Sequence, residues 1–374
     1  MRGHIRKRGS TYSIVVDVGR DENGKRKQKW ISGFKTKKEA EKALAEIIAK
    51  IEKNEFIEPS KITLQQFINE WLKIYGEPKW APKTLVSNKS LIDNYIIPNL
   101  GHIELQKLKP VEIQKFYNSL KKEKQLSNTT INYVHRLLNQ ILKFAVKWQY
   151  IAKNPCELVE APKKDKKEFV TWNFEHVKKA KKIFKDTPIY IHVMIALYTG
   201  LRLGEICGLR WEDIDFKNQT ITVRRTAQRI NGRFIFKEPK TETSKGIISI
   251  PDFLVQILKQ EKNKQLQNKL IFGEKYVTEY EGFISVWEDG RFKEPDYVTK
   301  KFRKILKKQS DIPVIRFHDL RHTHATLMLR SGVDLKIISK RLRHGRISTT
   351  ADFYSHVDLE MDREALRKLE SNLS

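Results

Sequence analysis

Cysteine is almost absent: the 374 residues hold two, Cys156 and Cys207. They lie far apart and in no metal-ligand spacing. That excludes a disulfide-built scaffold and gives no thiolate zinc site, and it fits free thiols in a reducing compartment. Long hydrophobic runs are also missing. The longest, near 189–201, is too short and too interrupted to cross a bilayer, so no membrane partner is expected. The opening "MRGHIRKRGS" is basic with no apolar stretch behind it, unlike a signal peptide, so a cytoplasmic protein is expected. Acidic residues are scarce as well. Asp and Glu number 45 against 73 Lys and Arg, giving a formal net charge of +28 and a pI near 9.8. The excess runs through the whole chain and is not confined to a tail. A one-signed surplus of that reach suits a protein lying along a long polyanion, and nucleic acid is the expected partner.

Internal repeats and low-complexity tracts are lacking, and three regions differ in pattern. In residues 9–34, "TYSIVVDV" alternates Tyr12, Ile14, Val16 and Val18 onto one face, Asn23-Gly24 is a hairpin turn, and "KQKWISGF" returns as a strand. Thr36 and Glu39 have capping-box spacing and open a helix to about Glu52. A three-stranded sheet plus helix is therefore expected over 1–55, of a kind that fits a major groove. Thr63 and Gln66 form a second box, followed by an apolar face of Leu64, Phe67, Ile68, Trp71 and Leu72. Further helices are expected at 83–97, at 110–122 and at 128–148. The last puts Ile131, Val134, Leu138, Ile141 and Ala145 on one side, so 62–155 reads as an all-α bundle. A charged, proline-bearing linker then leads to 165–374. There "HVMIALYTG" and "LRLGEICGL" read as helical, and "QTITVRRTAQ", "RFIFKEPK" and "GIISIP" read as strands of a hairpin-rich sheet. Helices return from about 252, and Leu359, Leu366, Leu369 and Leu373 mark a short amphipathic helix in the tail.

Chemistry-bearing residues concentrate in three stretches of this last region. "TGLRLGEICGLRWEDID" holds Arg202 at the start of a buried-looking helix with Glu205 three residues on. Burying an unpaired guanidinium is costly, so Arg202 either pairs with Glu205 or awaits an anion. "RFHDLRHTHATLMLRSG" puts His318 and Arg321 at i, i+3 on a helix start. "RLRHGRISTTADFYSHV" carries His344 and Tyr354. His318, His322 and His324 also raise a zinc reading. It is set aside because no cysteine completes a ligand set and His324 falls on another face of the helix.

Taken in this order and spacing, the three stretches resemble the tyrosine recombinase, or phage-type integrase, family. The N-terminal module and the bundle resemble its arm-binding and core-binding domains. The resemblance implies a multidomain fold: a sheet-plus-helix module, a helical bundle, and a mainly-α catalytic domain with a small β-sheet. It implies a site-specific recombinase of a mobile element, acting on core and arm sites of double-stranded DNA as a tetramer. A DNA-bending protein and an excision factor are its implied companions, in a bacterial cytoplasm. The implied route is a 3′-phosphotyrosyl intermediate and a Holliday junction, with no cofactor and no metal.

Residue by residue, Tyr354 matches the nucleophile, Arg202 and Arg321 the two phosphate-binding arginines, and His344 a further phosphate donor. His318 matches the general acid/base position and Glu205 the acidic position beside the first arginine. For the lysine that protonates the leaving alkoxide, Lys240 in "PKT" aligns best, with Lys245 as the alternative and Lys237 nearby. On this reading Arg202 awaits phosphate and Glu205 holds its surroundings. One departure stands out. The family usually has glycine just before the third-motif histidine, and here it is Arg343, where a tight or left-handed backbone disfavours a side chain. A related topoisomerase and a DNA-binding protein without activity are the alternative readings.

Overall fold

The computed structural model describes residues 3–20, 24–52, 57, 59–163, 170–230, 232–237, 246–343 and 370, with backbone alone at 18–20, 26–27, 50–52 and 230. The chain divides into two compact units, Met1–Lys166 and Lys167–Ser374.

The first unit opens with an antiparallel sheet in the order β1 (Gly3–Arg8), β2 (Thr11–Arg20), β3 (Arg26–Phe34), followed by α1 (Lys37–Glu52). Ile14 and Val16 are fully buried with Ala40 of α1, and Tyr12, Ile31, Phe34 and Leu44 pack around them. On the sheet's other face Trp30 pairs across from Val15. The guanidinium carbons of Arg6 and Arg8 stand 5.2 and 4.7 Å from its ring. The sheet thus begins at Gly3, not near residue 9. Its first strand, "GHIRKR", holds one apolar residue, Ile5, followed by three consecutive cations, and carries no apolar period to read. The expected cap on α1 is half formed. Glu39 N–H donates to Thr36 Oγ1, but the Glu39 carboxylate accepts from Lys35 N–H.

A separate apolar core follows in the same unit. The Thr63–Gln66 capping box forms in both directions and starts α2 (Leu64–Trp71), whose Leu64, Phe67, Ile68 and Trp71 are all buried. Each such fully buried large side chain contributes about 1.5–3 kcal/mol. The helix then widens into a π turn (Leu72–Gly76) before α3 (Glu77–Lys79). A second π turn (Ile92–Ile96) separates α4 (Pro82–Leu91) from α5 (Ile97–Leu100). Both have one cause: Pro78 and Pro98 stand just beyond. The residues before them, Glu77 and Ile97, donate five residues back, to the Leu72 and Ile92 carbonyls. The extra residue in the turn keeps the proline ring off the carbonyl it would otherwise strike. The α6 (Pro110–Lys122) and α7 (Asn128–Lys147) helices close this core, with Ile131, Val134, Leu138, Ile141 and Ala145 fully buried.

The second unit is built on α9 (Tyr190–Thr199), which follows α8 (Phe174–Phe184). Every residue of α9 from Ile191 to Leu197 is buried, as expected of a helix that is apolar all round. After α10 (Leu203–Cys207) come β4 (Ile214–Asp215), β5 (Thr220–Val223), β6 (Thr226–Ile230), β7 (Arg233–Lys237) and β8 (Gly246–Ser249). They do not form the one sheet expected from the sequence. β4, β5 and β8 make one antiparallel sheet, and β6 with β7 a separate hairpin. The hairpin has its own aromatic cluster of Phe234, Phe236, Tyr280, Phe283 and Phe292. The helices α11 (Asp252–Phe272), α12 (Pro295–Leu306), α13 (Asp319–Arg330) and α14 (Leu335–Leu342) complete the described part. The four tail leucines lie outside the described residues.

Candidate active site

The C-terminal end of α9 is where the site assembles. Its last carbonyls have no partner within the helix and form the negative end of the helix dipole, so cations are favoured there. Gly200 ends the helix in a left-handed conformation, φ 67°. A side chain at this position would also collide, because a Cβ would stand 2.6 Å from Leu342 Cδ2 and 2.8 Å from His324 Cδ2. Glycine is required on both counts, and its absent side chain lets two distant segments close in.

The first of these is α13. Arg321 is 3% exposed; its Nη1 donates to the Gly200 carbonyl at 2.6 Å and its Nη2 to the Leu342 carbonyl. These carbonyls fix the guanidinium fork without cancelling its charge. His324 lies beside it, with Nδ1 2.7 Å from the Leu197 carbonyl and Nε2 receiving Arg341 Nε–H at 3.1 Å. Nδ1 therefore carries the proton, and both ring nitrogens are committed. His324 cannot serve as the third ligand of the zinc reading. Burial first, and then Arg341, push its pKa down to about 4.

The second segment is the end of α14. Arg341 also donates through Nη2 to the Tyr198 and Ser249 carbonyls. Arg343 follows the helix in a left-handed conformation, φ 56° and ψ 47°, so the backbone at the departure from glycine is the one that disfavours a side chain. The Arg343 side chain runs inward, is buried, and donates from Nη2 to Glu205 Oε2 at 2.6 Å.

Arg202 immediately precedes α10. The buried Glu205 carboxylate accepts from Arg202 N–H through Oε2, at 2.9 Å, and from Arg202 Nη1 through Oε1, at 3.0 Å. Glu205 thereby caps the short helix and holds the arginine from below. The Arg202 side chain nevertheless stays 40% exposed, and Glu205 is its one side-chain partner among the described residues. The pair with Glu205 thus exists, and the guanidinium keeps an open face. His318 sits at the head of α13 with an exposed edge. Its inward part is desolvated and it faces Arg321 and Arg202, which together lower its pKa. His322 packs edge-on against it, with ring centroids 5.3 Å apart, and is driven down to about 4, chiefly by burial.

The fold therefore gathers Arg202, Glu205, His318 and Arg321 at one place. Lys240, Lys245, His344 and Tyr354 lie outside the described residues. Lys237 ends β7 and is exposed. Arg341 had no distinguishing signal: one arginine among 73 basic residues marks nothing until its partners are known.

Similarity to known proteins extends over nearly the whole chain. Residues 4–51 match an arm DNA-binding domain, 63–121 the N-terminal SAM-like domain of phage integrases, and 173–361 the phage integrase family. A XerC-like tyrosine recombinase of Caldanaerobacter subterraneus is 33% identical over 375 residues, covering 96% of this chain and 95% of its own. The ICEBs1 integrase of Bacillus subtilis is 30% identical, covering 78% of each. The fold is that of the Tn1549 transposon integrase in complex with transposon right end DNA. That likeness has a TM-score of 0.70 at 22% identity, over 82% of this chain and 99% of the other. A lambda integrase tetramer bound to a Holliday junction has a TM-score of 0.59 at 17% identity, over 94% of both. The chain belongs to the phage integrase family and is a tyrosine recombinase of the integrase type.

Proposed function

We propose that this recombinase integrates and excises its mobile element by attack of Tyr354 on a DNA phosphodiester. The tyrosyl oxygen bonds to phosphorus, the bond to the 5′ oxygen breaks, and the 5′-hydroxyl leaves with a proton from Lys240. A 5′-hydroxyl of the second duplex then reverses the step, and two rounds pass through a Holliday junction. The phosphodiester energy stays in the phosphotyrosine, so no nucleotide cofactor is consumed. A phenol is a weak nucleophile at neutral pH, with a pKa near 10, and needs a site that takes its proton and binds the developing charge.

Arg202, Arg321 and His344 are the donors to the non-bridging oxygens, and His318 handles the proton. Neutral His318, with its lowered pKa, can accept one at physiological pH. Guanidinium groups in a fixed fork supply the charge that a metal supplies elsewhere, so the reaction proceeds without one. The observation that carries this reading is the anchoring of Arg321 on Gly200 and Leu342. It holds the second arginine against the carbonyl of Gly200, two residues before Arg202 in the chain.

Residues 1–55 act as the arm-site module, 62–155 as the core-site domain and 165–374 as the catalytic domain, four protomers working together on DNA. Bending and excision factors would assist assembly and direction.

The test is a nicked suicide duplex carrying a site selected from random DNA by the wild-type chain. A covalent protein–DNA adduct is expected, undiminished in EDTA and absent in Tyr354→Phe. Binding without adduct would make the chain a DNA-binding protein only. Relaxation of supercoiled plasmid without joining two sites would make it a topoisomerase.

A further inference from the structure

Arg343 combines three features that are each unfavourable for an arginine. Its backbone is left-handed, a conformation glycine adopts freely. Its side chain is 4% exposed. Two of its donors, Nε and Nη1, are buried without a hydrogen-bond partner among the described residues. Backbone and side-chain outliers of this sort persist where the surroundings enforce them, and they cluster at working sites. The surroundings here are specific. Gly246, at the start of β8, leaves the room, since a Cβ there would stand 3.1 Å from Arg343 Cδ. Glu205 Oε2 then takes Arg343 Nη2 at 2.6 Å, on the same carboxylate that grips Arg202.

The charge count decides what this does. With glycine at 343, the buried Glu205 would face Arg202 alone, and the pair would sum to zero beside the scissile phosphate. With Arg343 the three groups sum to +1. Because Glu205 and Arg343 are both buried, their charges are little screened by water, and the difference is felt by an anion at Arg202.

We propose that Arg343 is a positioning residue for Arg202: it neutralises Glu205 from within, so that the exposed guanidinium of Arg202 remains free to bind the scissile phosphate. The proposal rests on the phosphate role given above to Arg202. Arg343 acts through Glu205 and needs no contact with DNA.

Arg343→Gly and Arg343→Lys separate this role from a structural one. Single-turnover adduct formation on the nicked duplex is measured at saturating DNA, with DNA affinity and melting temperature beside it. Arg343→Gly relieves the backbone and removes the two unpartnered donors, while Arg202 still holds Glu205, so it should fold and bind DNA as the wild type does. Its adduct rate should fall by about 10- to 100-fold, the scale of a misplaced catalytic group. Arg343→Lys, which restores the charge, should recover most of that loss. A wild-type rate in Arg343→Gly, or a lysine variant no faster than the glycine one, would overturn the proposal. If the glycine variant does not fold, Arg343→Met against Arg343→Lys makes the same comparison. Failure of the wild type to form any Tyr354-dependent adduct would instead refute the catalytic reading on which the proposal stands.

Discussion

The N-terminal sheet and the catalytic unit both spend arginine, but in opposite ways. On the sheet, Arg6 and Arg8 are exposed and lean on the face of Trp30. Nothing buried depends on them, and their charge is open to water and salt. In the catalytic unit, Arg321 and Arg343 are buried, each held by named carbonyl or carboxylate oxygens. Exposed cations give affinity that is screened by salt, whereas buried and oriented ones give a fixed field at one point. The contrast teaches that a net charge of +28 is not one property. Part of it is open to solvent and salt, and part of it is buried and oriented.

The largest expected effects break the machinery. Arg321→Ala should leave DNA binding in place and lower adduct formation by at least about 10²–10³-fold, the scale for loss of one oriented donor. It should also cost about 1–3 kcal/mol of stability, because the Gly200 and Leu342 carbonyls lose their donor. Arg202→Ala should lose as much cleavage with less effect on melting, since Glu205 keeps Arg343. Full strand exchange by either variant would remove its phosphate role.

The next effect is on stability and pH. His322 and His324 titrate near 4 in the folded chain, below the ordinary 6.5. As pH falls, the unfolded chain takes up these protons first. Their contribution is whole above about pH 6.5 and is lost progressively toward pH 4, at up to about 1.4 kcal/mol per unit for each histidine. Denaturant unfolding at several pH values should show that slope, and His324→Gln should flatten it. A stability independent of pH across this window would contradict the buried, neutral His324.

The smallest effect belongs to the sheet. Arg6→Ala with Arg8→Ala should weaken binding of the arm-type site and reduce the slope of log affinity against log salt by roughly one for each phosphate left without its cation. Cleavage of a core site should not change. If core cleavage fell with arm binding, the division of labour between the regions would be wrong.

Legibility in the sequence followed the same line. Amphipathic faces such as Leu64–Trp71 and Ile131–Ala145 were readable because burial imposes a period. The Thr63–Gln66 box was readable because two side chains answer each other. The first strand was not, since it holds a single apolar residue, Ile5, before a run of three cations. The two π turns were not, because one inserted residue leaves the apolar face nearly in place and its cause, a proline, stands beyond the turn. Splitting of the strands into a sheet and a hairpin depends on long-range aromatic packing around Phe236. At the site, the gathering of Arg202, Glu205, His318 and Arg321 was legible only through the family resemblance that their motifs carry. The left-handed backbone at 343 was foreseeable from the missing glycine, but the inward turn of its side chain onto Glu205 needed the fold. Arg341 had no signal of its own.

A structure of the chain on a nicked duplex, trapped with Tyr354→Phe, tests the central claim most directly. The account predicts one backbone phosphate with its non-bridging oxygens about 3 Å from both the Arg202 and Arg321 guanidinium nitrogens, and Arg343 still on Glu205. A phosphate bound out of reach of Arg321, or Arg202 turned away onto Glu205 alone, would contradict it.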